Sequence, residues 1–310
     1  MIKGAPRSAF DFGKRMRCEL RAGCKVNLYL DIVGVRDNGY HEIESLFYPL
    51  PAPHDILILE ETGGAGLQLT CSDPALPVDG NILSAAYGRF AAATGYAPGI
   101  RLHLVKQIPM GAGLGGGSSD AAVFLGWLNS RAGGSVLDSP DLESLALGLG
   151  ADVPFFLHNK PAWVTGIGEI VTPVAVDLTE YTVLVACPHV HVNTAWAYRR
   201  WDEVWREDAN SGRKVLTAAG SPNKEFCFTK PPVLKNCFER VVFQEFPVLY
   251  ELKAEILRHG ALACVMSGSG ASMVAIFESP EVARVCGRRM RDQGCPCHLV
   301  DGQDLVGSSG

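Results

Sequence analysis

The sequence lacks the features that mark membrane and nucleic-acid-binding proteins. No apolar run in its 310 residues approaches the about 18 residues that a membrane-spanning helix needs. Lysine and arginine number 28 against 33 aspartate and glutamate residues, which gives a net charge of −5, and no basic stripe is present. Proteins that bind the phosphate backbone of nucleic acids normally carry such a stripe. We therefore expect neither a membrane nor a nucleic acid as a partner.

Export signals, disulfide frameworks and zinc spacings are also missing. Residues 1–17 are basic, but no apolar segment follows them, so we interpret them as a tail, with a transit peptide as the alternative. The ten cysteines are scattered through apolar segments, which is typical of buried free thiols in a cytoplasmic protein. Neither Cys295-Pro-Cys-His298 nor His189-Val-His191 has a second pair at zinc spacing, so structural roles are favoured for both.

What is present fits a globular chain of about two domains, given about 150 residues per domain. Hydrophobic residues make up 47% and charged residues 20% of the chain, and the 34 glycines predict loops shaped by the backbone. Residues 18–33 alternate and predict a half-buried strand, with Val26 and Leu30 on one face and Lys25 and Asn27 on the other. Strands at 55–60 and 100–105 and a helix at 81–94 follow.

The second half of the chain has a different pattern. Strands are predicted near 181–186, 261–266, 272–277 and 298–300, and helices at 246–259 and 279–291. The order β-α-β-β-α-β is that of a ferredoxin-like domain. We therefore predict an α+β protein with a first domain at 18–172 and a ferredoxin-like second domain at 173–301. Within the second domain we interpret the polar residues 201–235 as an insertion or long loop, and residues 302–310 as a tail.

A glycine-rich segment at 109–117 is the strongest functional signal. Backbone N–H groups of such a loop, together with the start of the following helix, form a cradle for phosphate, whereas the alternative is a flexible linker. A dinucleotide fingerprint would open a βαβ unit, and a Walker A loop would place a lysine after the last glycine. Gly117 is instead followed by Ser118, Ser119 and Asp120, so neither common template fits. These polar residues and residues 121–128 predict a helix after the loop.

The segment Pro109-Met-Gly-Ala-Gly-Leu-Gly-Gly-Gly-Ser-Ser-Asp120 resembles the phosphate loop of the galactokinase, homoserine kinase and mevalonate kinase superfamily. Lys25-Val-Asn-Leu and Ser267-Gly-Ser-Gly-Ala271 resemble its first and third motifs. Together with Asp37-Asn-Gly-Tyr-His-Glu42 and Leu149-Gly-Ala-Asp-Val-Pro154, they are similar to the branch whose acceptor is a methylerythritol linked to cytidine diphosphate.

The resemblance implies a two-domain small-molecule kinase with its active site in the cleft between the domains. It implies ATP and Mg²⁺, transfer of phosphate to an alcohol, and a monomer or homodimer. Two alternatives stay open: another small alcohol as acceptor in the same fold, and a nucleotide sensor that has lost catalysis.

The catalytic pair that the resemblance implies is Asp152 and Lys25. Asp152 matches the family's base, since a carboxylate beside the acceptor hydroxyl suits proton abstraction. Lys25 would keep Asp152 ionised and neutralise charge on the transferred group. The alternative for Asp152 is a turn aspartate before Pro154. Taken alone, Lys25 is more typical of a solvated strand lysine.

For the acceptor, the resemblance implies contacts from Asn27 to hydroxyl groups and from Tyr40 and His41 to cytosine. Tyr198 matches the opposing aromatic ring of the cytosine site, with Trp196 as a rival and core packing as the alternative for Tyr40. Two residues of the third motif, Ser267 and Gly268, are expected against the phosphates or the acceptor, unless they only form a tight turn.

For the nucleotide, the resemblance assigns Asn81 and Lys106 to the adenine pocket, although either position also suits a surface residue. The loop residues themselves are expected to hold the phosphates: Pro109, Met110, Gly111, Ala112, Gly113, Leu114, Gly115, Gly116, Gly117, Ser118 and Ser119. A hydroxyl of Ser118 or Ser119 is expected to bind Mg²⁺, and capping of the helix is the alternative role.

Overall fold

The computed structural model describes residues 17–77, 80–210 and 233–305, which form two β-sheets with helices on their outer faces. The strands are β1 (Arg17–Val35), β2 (His41–Ala65), β3 (Leu67–Cys71), β4 (Pro98–Val105), β5 (Ala162–Thr165), β6 (Ile170–Pro173), β7 (Thr182–Ala186), β8 (Lys235–Asn236), β9 (Ala263–Met266), β10 (Met273–Phe277) and β11 (Cys297–Asp301). The helices are α1 (Ile82–Thr94), α2 (Gly116–Arg131), α3 (Ser139–Leu147), α4 (Val153–His158), α5 (Thr194–Asn210), α6 (Glu239–Glu245), α7 (Pro247–Arg258) and α8 (Pro280–Asp292). Within these described ranges, every helix is too short or too polar to span a bilayer.

The first sheet has seven strands, and the second has four. The first follows the order β3-β4-β2-β1-β8, with β5 paired to β2 and β6 to β5. The second has the order β11-β7-β10-β9, and all its neighbours are antiparallel. With α5, α6 and α7 between β7 and β9, and α8 between β10 and β11, this is the ferredoxin-like arrangement that the sequence predicts.

The described residues form layers of sheets and helices that are held together by three buried apolar clusters. One cluster joins the outer face of the first sheet to α1, α2, α3 and α4, and another joins the outer face of the second sheet to α5, α6, α7 and α8. The third lies between the two sheets, where Val26 and Leu28 of β1 pack with Val185 of β7 and Val274 of β10. Strand β1 therefore lies in the middle of the molecule.

This central position corrects the expectation of a half-buried β1. Lys25 and Asn27, predicted on a polar face, are only 5% and 2% exposed. The pairing of β1 with β2 shifts register between Asn27 and Tyr29, as at a β-bulge, which redirects the side chains that follow. Leu30 consequently packs in the cluster of the second domain rather than on the face of Val26. The polar side chains of β1 face an enclosed space.

Three other boundaries differ from the predictions. Residues 201–210, predicted to be irregular, form the end of helix α5, and Lys235 and Asn236 pair with β1 as β8. The predicted tail after Asp301 begins with a 3₁₀ turn at Gly302–Leu305, and Arg17 already belongs to β1. The rest of the predicted tails and of the predicted insertion, at 1–16, 211–232 and 306–310, lies outside the described residues.

Candidate active site

The glycine-rich loop connects β4 to α2 and leaves the start of α2 open. Gly111, Gly113 and Gly115 have φ values of +64°, +77° and +71°, a backbone conformation that favours glycine. Helix α2 begins at Gly116 and has no side-chain cap. We predicted that Ser118 and Ser119 precede the helix, as capping residues do. They lie instead inside its first turn. The first N–H groups of α2 are therefore available to an anion.

A cavity of about 440 Å³, here called the loop cavity, lies against this loop. Its volume is in the range of about 300–1,000 Å³ that is typical of small-molecule sites. All its lining residues lie between positions 76 and 120. They include these predicted residues: Asn81, Lys106, Pro109, Met110, Gly111, Ala112, Gly113, Leu114, Gly115, Gly116, Gly117 and Ser118.

Lys106 is one part of a buried ionic cluster at the loop cavity. Its Nζ atom binds Asp55 of β2 and lies 3.0 Å from Oδ2 of Asp120 of α2. Oδ1 of Asp55 accepts hydrogen bonds from the N–H groups of Gln107 and Ile108, at 2.6 and 2.9 Å. The cluster thus ties both ends of the glycine-rich loop to the first sheet. Asn81 lines the same cavity and caps α1, accepting a bond from the N–H of Leu83 at 2.9 Å.

Two carboxylates share one ammonium group in this cluster. Burial alone would lower the pKa of Lys106, but Asp120 and Asp55 outweigh it and raise that pKa above its usual value. Burial and the neighbouring Asp55 raise the pKa of Asp120 to about 7, although Lys106 acts in the opposite direction. Oδ1 of Asp120 is buried and has no hydrogen-bond partner within the described ranges. The charge of Asp120 is therefore incompletely compensated.

Ser118 and Ser119 point to different sides of α2. Ser118 lines the loop cavity, whereas Ser119 is 1% exposed and lines a separate cavity with Arg21 and Phe156. Ser118 and Ser119 were the two alternatives for the metal-binding serine. Of these two, Ser118 is the one that can contact a phosphate in the loop cavity.

A second cavity of about 220 Å³, here called the cleft cavity, is lined by residues of both domains. Lys25, Asn27, Asp152, Tyr198 and Gly268 line it, as predicted for one common site. Gly113 and Gly115 line both cavities. These two glycines therefore form a border that the two cavities share.

Lys25 and Asp152 meet in the cleft cavity. Nζ of Lys25 lies 3.8 Å from Oδ2 of Asp152 and 2.6 Å from Oδ1 of Asn27, and it lies 4.4 Å from the centre of the Phe47 ring. The backbone N–H of Lys25 donates to the carbonyl of Leu114 in the loop, at 2.9 Å. Burial lowers the pKa of Lys25, and the charge of Asp152 opposes that shift. The ammonium group therefore depends on its neighbours for its charge.

The local structure around Asp152 differs from the predicted loop. Asp152 is the N-cap residue of the short helix α4, with Pro154 in the first turn. Its side chain makes no capping hydrogen bond and is 31% exposed. The carboxylate is therefore free to face the cleft instead of closing the helix.

The third predicted motif joins the second domain to both β1 and the loop. Oγ of Ser267 accepts from the N–H of Asn27 at 3.1 Å and donates to the carbonyl of Gly113 at 2.9 Å. A Cβ atom at Gly113 would overlap the carbonyl oxygen of Ser267, and one at Gly268 would come within 3.2 Å of the Cα of Gly113. Close approach of two backbones thus requires glycine at both positions.

The aromatic residues are arranged differently from the predicted pair of Tyr40 and Tyr198. Tyr198 lines the cleft cavity, and its ring lies 4.7 Å from that of His41 and 4.8 Å from that of Phe238. Tyr40 is 58% exposed in the turn between β1 and β2 and does not line the cavity. Burial raises the pKa of Tyr198 to about 12. Trp196, the rival of Tyr198, packs against Phe246 instead.

Several site residues were missed in the sequence. Asp55 and Asp120 lie far apart in the chain, and only the pairing of β2 with β4 brings Asp55 to the loop. His41 binds Asp202 at 2.7 Å, and Phe238 lines the cleft cavity. Asp202 lies within the segment 201–235, whose pattern indicated only an insertion, and Phe238 lies just after that segment. No local periodicity distinguishes any of these residues, because their contacts are long-range.

Two family models match the chain in the regions that carry this site. The model "GHMP kinases N terminal domain" matches residues 81–160, which contain the loop and α2. The model "GHMP kinases C terminal" matches residues 216–294, which contain Ser267 and Gly268.

Individual relatives cover most of the chain. A protein from Solidesulfovibrio magneticus named 4-diphosphocytidyl-2-C-methyl-D-erythritol kinase is 45% identical over 279 residues, 89% of this chain and 94% of the relative. A crystal structure of 4-(cytidine 5'-diphospho)-2C-methyl-D-erythritol kinase is 31% identical with a TM-score of 0.73, covering 91% of this chain and 98% of that one. A homoserine kinase from Cytophaga hutchinsonii, at 20% identity and a TM-score of 0.65 over 95% of this chain and 96% of that one, shares the fold.

Proposed function

The chain belongs to the 4-diphosphocytidyl-2-C-methyl-D-erythritol kinase family within the GHMP kinases, and on that premise we propose that it phosphorylates the 2-hydroxyl of 4-diphosphocytidyl-2-C-methyl-D-erythritol. ATP is the phosphoryl donor, and the products are ADP and the 2-phosphate. The reaction belongs to the non-mevalonate synthesis of isoprenoid precursors.

One observation carries this proposal: Gly113 and Gly115 line both the loop cavity and the cleft cavity. A triphosphate in the loop cavity would place its terminal group beside these glycines, next to the cavity that holds the Lys25–Asp152 pair. Phosphoryl transfer asks a protein mainly for positioning and for stabilisation of charge. A backbone cradle on one side and an ion pair at 3.8 Å on the other supply both.

We assign the chemical roles as follows. The acceptor's 2-hydroxyl oxygen attacks the terminal phosphorus of ATP, the bond from that phosphorus to the bridging oxygen breaks, and ADP leaves. Asp152 accepts the hydroxyl proton, and Lys25 offsets the negative charge of the transferred group. Asn27 holds Lys25 and faces the acceptor. We assign the base of the acceptor to Tyr198 and His41, with Tyr40 as a further contact at the entrance.

Mg²⁺ fits the phosphate end of the loop cavity. Hydroxyl and carboxylate oxygens are ligands that it prefers, and in kinases it is held by substrate phosphates with few protein ligands. The fit is supported by the loop cavity itself, which is lined by Ser118 and by Asp120, whose buried Oδ1 has no hydrogen-bond partner within the described ranges. We assign the protein ligand to Ser118. When bound, the ion neutralises phosphate charge.

We further propose domains at 18–172 and 173–301, a cytoplasmic location, and a monomer or homodimer. The domain boundary is supported by the end of β6 at Pro173 and the start of β7 at Thr182. The location is supported by nine free cysteines among the described residues, because thiols stay reduced in the cytoplasm.

The test is an assay of ADP release with 4-diphosphocytidyl-2-C-methyl-D-erythritol, compared with mevalonate. We expect turnover with the cytidylated alcohol alone, and a new phosphomonoester on the acceptor. Equal turnover of mevalonate would contradict the proposed acceptor. ATP binding without turnover of either alcohol would indicate a nucleotide sensor.

A further inference from the structure

A buried asparagine outside the predicted site connects three walls of the cleft cavity. Asn236 lies in β8, is 5% exposed and does not line the cavity. Its neighbours do: Leu30 is its pairing partner in β1, Phe238 lies two residues further along the chain, and Gly268 belongs to the second-domain turn.

The amide of Asn236 is fully used in these connections. Nδ2 donates to the carbonyls of Met266 and Gly268, at 2.6 and 2.7 Å. Oδ1 accepts from the N–H of Phe238 at 2.9 Å. An asparagine side chain has two donor hydrogens and a carbonyl acceptor, so a buried amide with these partners is satisfied in one orientation only.

The turn that Asn236 holds is the one that reaches the catalytic strand and the loop. Ser267 lies between the two carbonyls that Asn236 binds, and its Oγ bridges the N–H of Asn27 and the carbonyl of Gly113. Asn27 in turn binds Nζ of Lys25 at 2.6 Å. A displacement of this turn therefore shifts Asn27, which binds Lys25, and Gly113, which borders both cavities.

We propose that Asn236 is a positioning residue for the acceptor, holding the 266–268 turn, Phe238 and β1 in the arrangement that closes the cleft cavity on the loop. This inference rests on the proposed function. Asn236 acts on the acceptor side, because two of its hydrogen-bond partners line the cleft cavity, whereas the described lining of the loop cavity comes from residues 76–120 alone. Loss of these hydrogen bonds therefore affects the acceptor more than ATP, which reaches the turn only through Gly113.

The test compares Asn236→Ala and the isosteric Asn236→Asp with Asn129→Ala. Asn129 makes the same kind of clamp, with its amide on both backbone groups of Leu137, but lies in the first domain away from the cleft cavity. We expect Asn236→Ala to raise KM for the acceptor and lower kcat, together by about 10- to 100-fold in kcat/KM, since small misplacements have effects of that order. KM for ATP should stay within about twofold.

Asn236→Asp should be at least as impaired, because a carboxylate has no hydrogen to donate to the two carbonyls. If it does not fold, the alanine variant still decides. A double-mutant cycle with Ser267→Ala should show strong non-additivity. The proposal is overturned if Asn236→Ala only lowers the melting temperature, as Asn129→Ala should, or raises both KM values equally. Absence of turnover in the unmodified protein would instead contradict the proposed function.

Discussion

The loop cavity and the cleft cavity are built in opposite ways. The loop cavity is lined by one stretch of chain, residues 76–120, and much of its surface is backbone. The cleft cavity takes its lining from positions between 25 and 269, from both domains, and relies on side chains. A backbone cradle should be sensitive to a Cβ atom added where another backbone comes close, and an assembled cleft should be sensitive to the chemistry of single side chains.

The largest effect is expected for Asp152→Asn in the cleft cavity. The amide cannot accept the acceptor's proton, so kcat should fall by about 10²- to 10⁴-fold, the usual contribution of a general base. The affinity for ATP should not change, because Asp152 does not line the loop cavity. Coupled kinetics and ATP titration measure the two quantities, with the exposed Asp292→Asn as control. Near-normal turnover of a folded variant would refute the role of Asp152.

The next effect separates two glycines of the loop. An added methyl group in Gly113→Ala meets the carbonyl of Ser267 at a φ of +77°, whereas Gly117→Ala has only Ile82 within 4.0 Å of its new atom. We expect Gly113→Ala to destabilise the protein by about 1–3 kcal/mol, as overpacking does, and to weaken both substrates. Gly117→Ala should fold normally. Thermal unfolding and both KM values give the comparison, and similar behaviour of the two variants would count against the shared border of the cavities.

A smaller effect, confined to the cleft cavity, is expected for Tyr198→Ala. Loss of a stacking ring costs about 1–3 kcal/mol per base, so KM for the acceptor should rise by about 5- to 150-fold while KM for ATP stays constant. Competition by cytidine diphosphate should weaken in parallel. Tyr250→Ala, which removes a ring that is 61% exposed, is the control. If Tyr40→Ala weakens the acceptor more than Tyr198→Ala, the exposed ring is the main contact.

The smallest effect concerns the ionic cluster at the loop cavity and depends on pH. The pKa of Asp120 is raised to about 7, chiefly by burial. A group whose pKa is raised in the folded state stabilises the fold below its unfolded pKa, and that stabilisation is lost as the pH rises through the folded pKa. Asp120→Asn should therefore raise the melting temperature at pH 8 by about 2–4 °C, corresponding to about 1 kcal/mol. The gain should shrink as the pH falls below 7 and should be lost only near the ordinary aspartate pKa of 3.8.

The neighbouring carboxylate provides the control for this prediction. Asp55 accepts two backbone N–H groups besides its bond to Lys106, so Asp55→Asn should destabilise at both pH values. If the difference in melting temperature between Asp120→Asn and the unmodified protein is the same at every pH, Asp120 is not the group that titrates.

The same difference between the cavities explains what the sequence could predict. The loop was recognisable because its function depends on glycine and on a following helix, both of which are local. The ferredoxin-like order of the second domain was predictable for a similar reason, since each element has its own periodicity. Lys25 and Asn27 are buried because β1 lies in the middle of the molecule, and the bulge after Asn27 depends on pairing with β2. Neither feature has a local signal. Asp55, Phe238 and Asn236 enter the site only through contacts between distant strands.

The central claim is that a phosphoryl group passes from the loop cavity to the cleft cavity beside Gly113 and Gly115. A crystal structure with a non-hydrolysable ATP analogue and 4-diphosphocytidyl-2-C-methyl-D-erythritol tests it most directly. We expect the triphosphate on the loop amides, its terminal group beside Lys25, and the 2-hydroxyl within hydrogen-bonding distance of Asp152. A triphosphate bound outside the loop cavity, or an acceptor hydroxyl remote from Asp152, would contradict it.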